Sequence, residues 1–258
     1  LRPNLQHLTL GENELKMILR GEFQGNYLSK LKVLTLFFHN ESNVFLQRVP
    51  NLEELVVRHG VFKETFRLPE LKVLPLESLG ELVSIGSGNS WIVPFLRNLE
   101  TLEVITCFSS INLVPCTVSF SNLTYLEIDC CHSLLYLFTS SIVISLAQLK
   151  IMKVKQCNSI EEIVSKEGDD SNDDEIIFQQ LNCLKLKELP KLRSFYKGSL
   201  SFPSLDQLSL IDCDKMETLC AGTIKADKLF GVKFHNNSDA IPLEIDLNST
   251  MRKAFLAT

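Results

Sequence analysis

The 258-residue sequence contains no apolar run of the 18 or so residues that a membrane-spanning helix requires. It has no basic excess either. Its 26 Lys and Arg stand against 31 Asp and Glu, a formal net charge of −5, whereas a nucleic-acid binder would more often be basic. No charged-then-apolar N-terminal segment reads as a signal peptide. The opening LRPNLQHLTL begins in mid-pattern, so the chain is expected to be part of a longer protein. None of the eight cysteines shows the CxxC pairing of a zinc site, and the clustered cysteines that cap secreted repeat proteins are missing from both ends. The thiols are read as reduced core residues of a cytoplasmic protein.

Catalytic signatures are missing as well. There is no Gly-x-x-x-x-Gly-Lys phosphate loop. The Gly-rich GSGNSW at Gly86 has nothing to place it between a strand and a helix, and reads as a connecting limb. His7, His39, His59, His132 and His235 are scattered, with no spacing that suggests a metal. The acidic KEGDDSNDDE from Lys166 to Glu175 fails the spacing of a calcium loop and reads as a solvated insertion. No enzyme activity, cofactor or metal is expected of these residues.

What is present is a repeat. With 45% hydrophobic and 22% charged residues there is ample material for a core. Leu-x-x-Leu-x-Leu, or an apolar variant of it, begins at Leu5, Leu31, Leu52, Leu71, Leu99, Leu123, Leu149, Leu181 and Leu205, with a degenerate tenth copy at Leu229. Successive starts are 26, 21, 19, 28, 24, 26, 32, 24 and 24 residues apart. A second apolar pair recurs eleven and fourteen positions after the first leucine: Leu82/Ile85, Leu134/Leu137, Ile160/Ile163, Leu192/Phe195 and Met216/Leu219. Another apolar residue sits three positions ahead of it, as in Leu146, Phe178 and Phe202. Position eight, which closes the strand turn in leucine-rich repeats, holds Asn13, Cys107, Cys131, Cys157, Cys213 and Asn237; His39, Gly60, Leu79 and Leu189 depart from it.

This rhythm fits a coil with a short strand and an apolar return limb. One coil cannot bury its apolar face alone, so coils stack and their strands pair in parallel. The expected fold is an α/β repeat solenoid: a leucine-rich-repeat horseshoe with a parallel concave sheet and a mostly irregular or short-helical convex side. Ten strands at about 4.8 Å spacing give an inner arc of about 43 Å. A single domain over 1–258 is expected, with 166–176 as an acidic inserted loop and 238–258 as a C-terminal cap or tail.

Positions two, four and six alternate with the buried leucines and should face out of the concave sheet. They carry Glu103, then Tyr125, Glu127 and Asp129, then Lys153 and Lys155, then Lys185 and Lys187, and finally Lys233. The face runs from acidic to basic, with Val33, Thr35 and Phe37 as an apolar spot. Opposite charges on adjacent coils could serve as cross-strand pairs. They could also dock a protein partner with the reverse charge order.

LTYLEIDCCHSLLYLF, LKIMKVKQCNSIEEIV, LKLKELPKLRSFYKG and FPSLDQLSLIDCDKMETL together resemble the C-terminal repeats of plant intracellular coiled-coil, nucleotide-binding, leucine-rich-repeat disease-resistance proteins. The resemblance is strongest over 95–225, and IPLEIDLNSTMRKAF is similar to the tail that closes such receptors. It implies a module that senses a pathogen effector or guarded host protein and restrains the receptor's own nucleotide-binding domain. ATP or ADP would belong to that domain. The alternative is the substrate-binding half of a cytosolic adaptor such as an F-box ubiquitin-ligase component, whose repeats are more even and more helical.

Overall fold

The structure, a computed structural model, describes residues 4–20, 27–37, 43–59, 68–80, 82, 85, 96–107, 112–114, 118–166, 175–216, 218–236, 239–243 and 246–256. Each repeat contributes one strand to a long sheet: β1 (His7–Leu10), β2 (Val33–Phe37), β3 (Glu54–Arg58), β4 (Val73–Glu77), β5 (Thr101–Ile105) and β6 (Tyr125–Asp129). The limb strand β7 (Phe138–Thr139) comes next, then β8 (Ile151–Lys155) of the long sheet, and limb strands β9 (Val164–Ser165) and β10 (Glu175–Ile177). β11 (Cys183–Lys187), β13 (Gln207–Ile211) and β15 (Gly231–Lys233) continue the long sheet, with β12 (Ser199–Ser201) and β14 (Ile224–Lys225) between them in the limbs. The order is β1-β2-β3-β4-β5-β6-β8-β11-β13-β15, all parallel, closed by the antiparallel β16 (Ile241–Pro242). The strands start two residues after the first leucine of each repeat.

Burial explains why the pattern folds this way. The first leucine is fully buried at Leu31, Leu52, Leu71, Leu99, Leu123, Leu149, Leu181 and Leu205, and the two strand positions that follow it are buried in nearly every coil. The intervening positions are half-exposed in β2, β5, β6 and β8, the alternation of a sheet covered on one face. Limb residues close the core from the other side: Leu134, Leu137, Ile160, Ile163, Leu192 and Leu219 have no exposed surface. Phe178, Phe195 and Phe202 pack ring to ring at centroid distances of 5.6, 5.6 and 5.7 Å, joining two return limbs through stacked and edge-on contacts.

The far side carries the short helices expected of a mostly irregular or short-helical limb, and adds short strands to it. Helices α1 (Glu12–Leu19) and α2 (Asn43–Leu46) lie in earlier limbs, and α3 (Ser140–Val143) directly follows β7. Later limbs are extended and pair in parallel, β7 with β9 and β10 with β12 and β14. The physical cause is the near-even spacing of the paired limb residues, 26 apart in β7 and β9 and 24 apart in β10, β12 and β14, which brings equivalent limb residues to the same level in neighbouring turns. The last two positions of the expected acidic loop, Glu175 and Ile176, therefore lie in β10; residues 167–174 are outside the described residues.

Strand exits share one device. Among the described non-glycine residues, seven have positive φ, between 52° and 55°: His59, Ser78, Thr106, Cys130, Gln156, Glu188 and Asp212. Each is the seventh residue after a first leucine, and none is glycine. This left-handed conformation aims the amide along the stack. His59, Ser78, Thr106, Cys130, Gln156 and Glu188 each donate to the last strand residue of the next coil at 2.8–3.1 Å. The position-eight cysteine follows. The thiols of Cys107, Cys131, Cys157 and Cys213 point to the carbonyl two residues back, at 3.6, 3.4, 3.1 and 3.5 Å. Leu79 and Leu189 fill the same buried place. Asn13 does not: it sits on the exposed side of α1, so the first coil closes with a helix instead of the side-chain turn read from its sequence. His39, Gly60 and Asn237 lie outside the described residues.

At the C-terminal end, α4 (Leu247–Leu256) caps the last coils. The Asp246 carboxylate accepts from the Ser249 amide at 2.8 Å, a helix N-cap. Leu247 and Met251 enter the core. The Asn248 side chain accepts from the Leu219 amide at 3.1 Å, satisfying a limb donor that has no further coil to pair with.

Candidate interaction face

Parallel register aligns the outward residues into rows across the strands. One row reads Glu103, Glu127, Lys153, Lys185, Ser209 and Lys233 on β5, β6, β8, β11, β13 and β15. The next reads Ile105, Asp129, Lys155, Lys187 and Ile211. All nine residues singled out in the sequence thus lie on one face of six consecutive strands.

They are not electrostatically equivalent. Lys155 Nζ lies 2.6 Å from Glu127 and 3.2 Å from Asp129. Lys153 lies 3.4 Å from Glu127, donates to the Tyr125 hydroxyl at 2.8 Å, and sits 4.9 Å above the Tyr125 ring centroid. The Tyr125 hydroxyl donates to Glu127. The middle of the face is thus a closed, partly buried network. Burial alone would lift the Glu127 carboxyl, but hydrogen bonds from Lys155 and Tyr125 and the two ammonium charges together hold it below its ordinary value. The hydrogen bond to Tyr125 raises Lys153, and that to Glu127 raises Lys155.

Uncompensated charge is left at the two ends. Glu103 makes no ion pair among the described residues, and burial plus the facing Glu127 carboxylate push its pKa up. Lys187 turns to Glu188 at 2.9 Å. Lys185 is exposed, and Lys185 and Lys233 make no ion pair among the described residues. Lys153, Lys155, Lys185, Lys187 and Lys233 surround a recess of 260 Å³ with Ser209 and Asn236. Among the described residues no group of three or more His, Cys, Asp or Glu is placed to hold a metal, and no helix is long and apolar enough to cross a membrane.

The expected apolar spot is modified. Arg58 on β3 lies 5.2 Å from the Phe37 ring centroid and 2.6 Å from Glu77, so the ring is covered by a guanidinium held from the other side. Cys183, expected to face outward, is buried. The sequence reading passed over position one of each repeat, where Lys32 meets Glu53 at 2.6 Å and Lys72 meets Glu100 at 3.0 Å. The signal was available as a Lys-Glu-Lys-Glu series over four successive repeats. These pairs are about half exposed and contribute little to stability.

A family model described as plant disease resistance protein RPS2-like, leucine-rich repeats, matches residues 110–229. The chain is 24% identical over 263 aligned residues to the disease resistance protein UNI of Arabidopsis thaliana, covering 90% of this chain and 29% of that protein. It is 27% identical over 219 residues to the disease resistance protein RPS5 of the same plant, covering 84% of this chain and 23% of that one. The chain therefore spans less than a third of the length of these two relatives.

Proposed function

This chain is a leucine-rich-repeat region of the plant disease-resistance type, and we propose that the outward face of its long sheet is the recognition surface of an intracellular immune receptor. On this reading the face senses a pathogen effector or a guarded host protein and, in its absence, restrains the receptor's nucleotide-binding domain in the cytoplasm. The observation that carries it is the pair of register-aligned charged rows. Ordered charge on a preformed sheet selects a partner by electrostatic complementarity and steers its approach. A ligand releases such a restraint only by the difference in its affinity for the open and closed states. No catalytic step is assigned to these residues; ATP or ADP would be handled by the nucleotide-binding domain.

The test is co-precipitation of this chain with the separately expressed nucleotide-binding domain of the receptor that carries it. Wild type is compared with the reversal K153E/K155E/K185E/K187E, after circular dichroism has established that both are folded. Binding lost in the reversal supports restraint through the basic coils. Folded wild-type protein that leaves the domain in the supernatant removes restraint and leaves ligand sensing alone.

A further inference from the structure

The five lysines around the 260 Å³ recess do not all have the same freedom. Lys153 and Lys155 are held by Glu127 and Asp129, and Lys187 by Glu188. Lys185 and Lys233 remain, in one register row with Ser209 between them. Two strand steps separate them, about 10 Å at ordinary sheet spacing. We infer that this recess is a docking site for an acidic protein segment that places two carboxylates about 10 Å apart along the solenoid, one on Lys185 and one on Lys233. The inference deepens the recognition reading above by naming the chemistry of the partner at that site.

Three features favour a protein segment over a small polyanion. The recess is smaller than the roughly 300–1,000 Å³ of typical small-molecule pockets. Its cations are ammonium groups on exposed or half-exposed stems, with no buried donor to enclose a ligand, so the site grips from one side. Its charges are lysines, which act as hydrated points and lack the planar fork that matches phosphate. Orientation is also selected. Glu103 lies at the other end of the same row, so a segment acidic along its whole length would be repelled there. The occupant is acidic over β11–β15 and neutral or basic over β5–β6. An α-helix meets the spacing with carboxylates seven residues apart, since about 1.5 Å per residue gives about 10.5 Å.

The probe is a fluorescein-labelled helical peptide with glutamates seven residues apart at one end and lysines at the other, titrated with the full chain and read by anisotropy. K185E/K233E is compared with K191E/K215E, an equal charge change on exposed return-limb lysines. The expected result is saturable binding at low salt, weakened about tenfold or more by K185E/K233E and little changed by K191E/K215E. Equal binding by all three proteins, or none by any, overturns the inference. So does tripolyphosphate displacing the peptide at a lower concentration than unlabelled peptide does, which would make the recess a small-anion site. The probe contains no receptor domain and no effector. Its failure would leave the co-precipitation test of restraint standing, and failure of that test would leave the peptide result standing.

Discussion

The Lys155 ammonium on β8 lies 2.6 Å from the Glu127 carboxylate on β6, one coil away. The same ammonium reaches Asp129, and Glu127 also takes Lys153 and Tyr125. Charges that look like a docking pattern in the sequence therefore fall into two groups. Those at the β6/β8 step stitch two coils together, and Glu103, Lys185 and Lys233 towards the ends of the row make no ion pair among the described residues.

Truncation should separate the two groups. Lys155→Ala is expected to lower unfolding stability by about 1 kcal/mol, because it removes the ion pair of Asp129 and leaves the partly buried Glu127 with only the more distant Lys153. Lys185→Ala should stay within about 0.5 kcal/mol of wild type. Urea denaturation of both variants reads this directly. A double-mutant cycle of Lys155→Ala with Glu127→Ala should show a coupling of about 0.5 kcal/mol or more. Equal stability of the two lysine variants would mean that the network contributes nothing.

The Cys157 and Cys213 thiols should be inert in the folded protein. Burial holds Cys157 above its ordinary value and pushes Cys213 up to about 12, so neither supplies thiolate near neutral pH. Cys107, Cys131 and Cys220 are buried too, whereas Cys130 is only half-buried. Brief alkylation with iodoacetamide followed by mass spectrometry should modify Cys130 before Cys157 or Cys213, and reach these two only on unfolding. Early labelling of Cys157 would show that the coil stack opens at that turn.

Much of the fold was legible because burial repeats. The spacing of Leu123, Leu126 and Ile128 reports a strand covered on one face, and all three are fully buried. The outward placement of Glu127 and Lys153 followed from the same alternation. Two things were not legible. The seven left-handed strand exits hold seven different residue types, so no glycine marked them. Six of them are held by amide hydrogen bonds to the next coil, and the bonding partner is unknown until register is known. For the same reason the sequence could not say that Lys155 is paired while Lys185 makes no ion pair among the described residues. Both are lysines on adjacent strands, and only β8, which carries Lys155, lies next to the acidic β6.

That hidden row yields its own prediction. Asp212 has φ 53° and its carbonyl accepts from the Leu189 amide at 3.1 Å. Glycine relieves the left-handed conformation at some cost in unfolded-chain entropy, so Asp212→Gly should be neutral or stabilising by up to about 1 kcal/mol. Asp212→Val, which puts a β-branched side chain at positive φ, should cost about 2 kcal/mol. Thermal melts of the pair should bracket wild type. A valine variant as stable as the glycine one would show that the exit adopts another conformation in solution.

Glu103 and Glu127 stand opposite each other in register, and their stabilities should depend on pH with opposite signs. Glu127 is held below its ordinary value, so the folded state releases its proton more readily than the unfolded chain. Its contribution is present above the unfolded value of about 4.3 and is lost as pH falls below that. Glu103 is raised by burial and by Glu127, so the folded state holds its proton more tightly. Its charged form costs stability above its folded pKa, and the cost disappears as pH falls through the unfolded value. Glu103→Gln should therefore stabilise the protein at pH 7 by a few tenths of a kcal/mol and make no difference near pH 3.5. Glu127→Gln should destabilise it by about 1 kcal/mol at pH 7, with the deficit shrinking towards pH 3.5. Urea titrations of wild type and both variants at the two pH values give four differences. The assignment holds only if the pH 7 differences have opposite signs and both shrink in acid. A Glu103→Gln variant less stable than wild type at pH 7 would mean that its carboxylate has found a cation, and that the acidic end of the row is not an open pole.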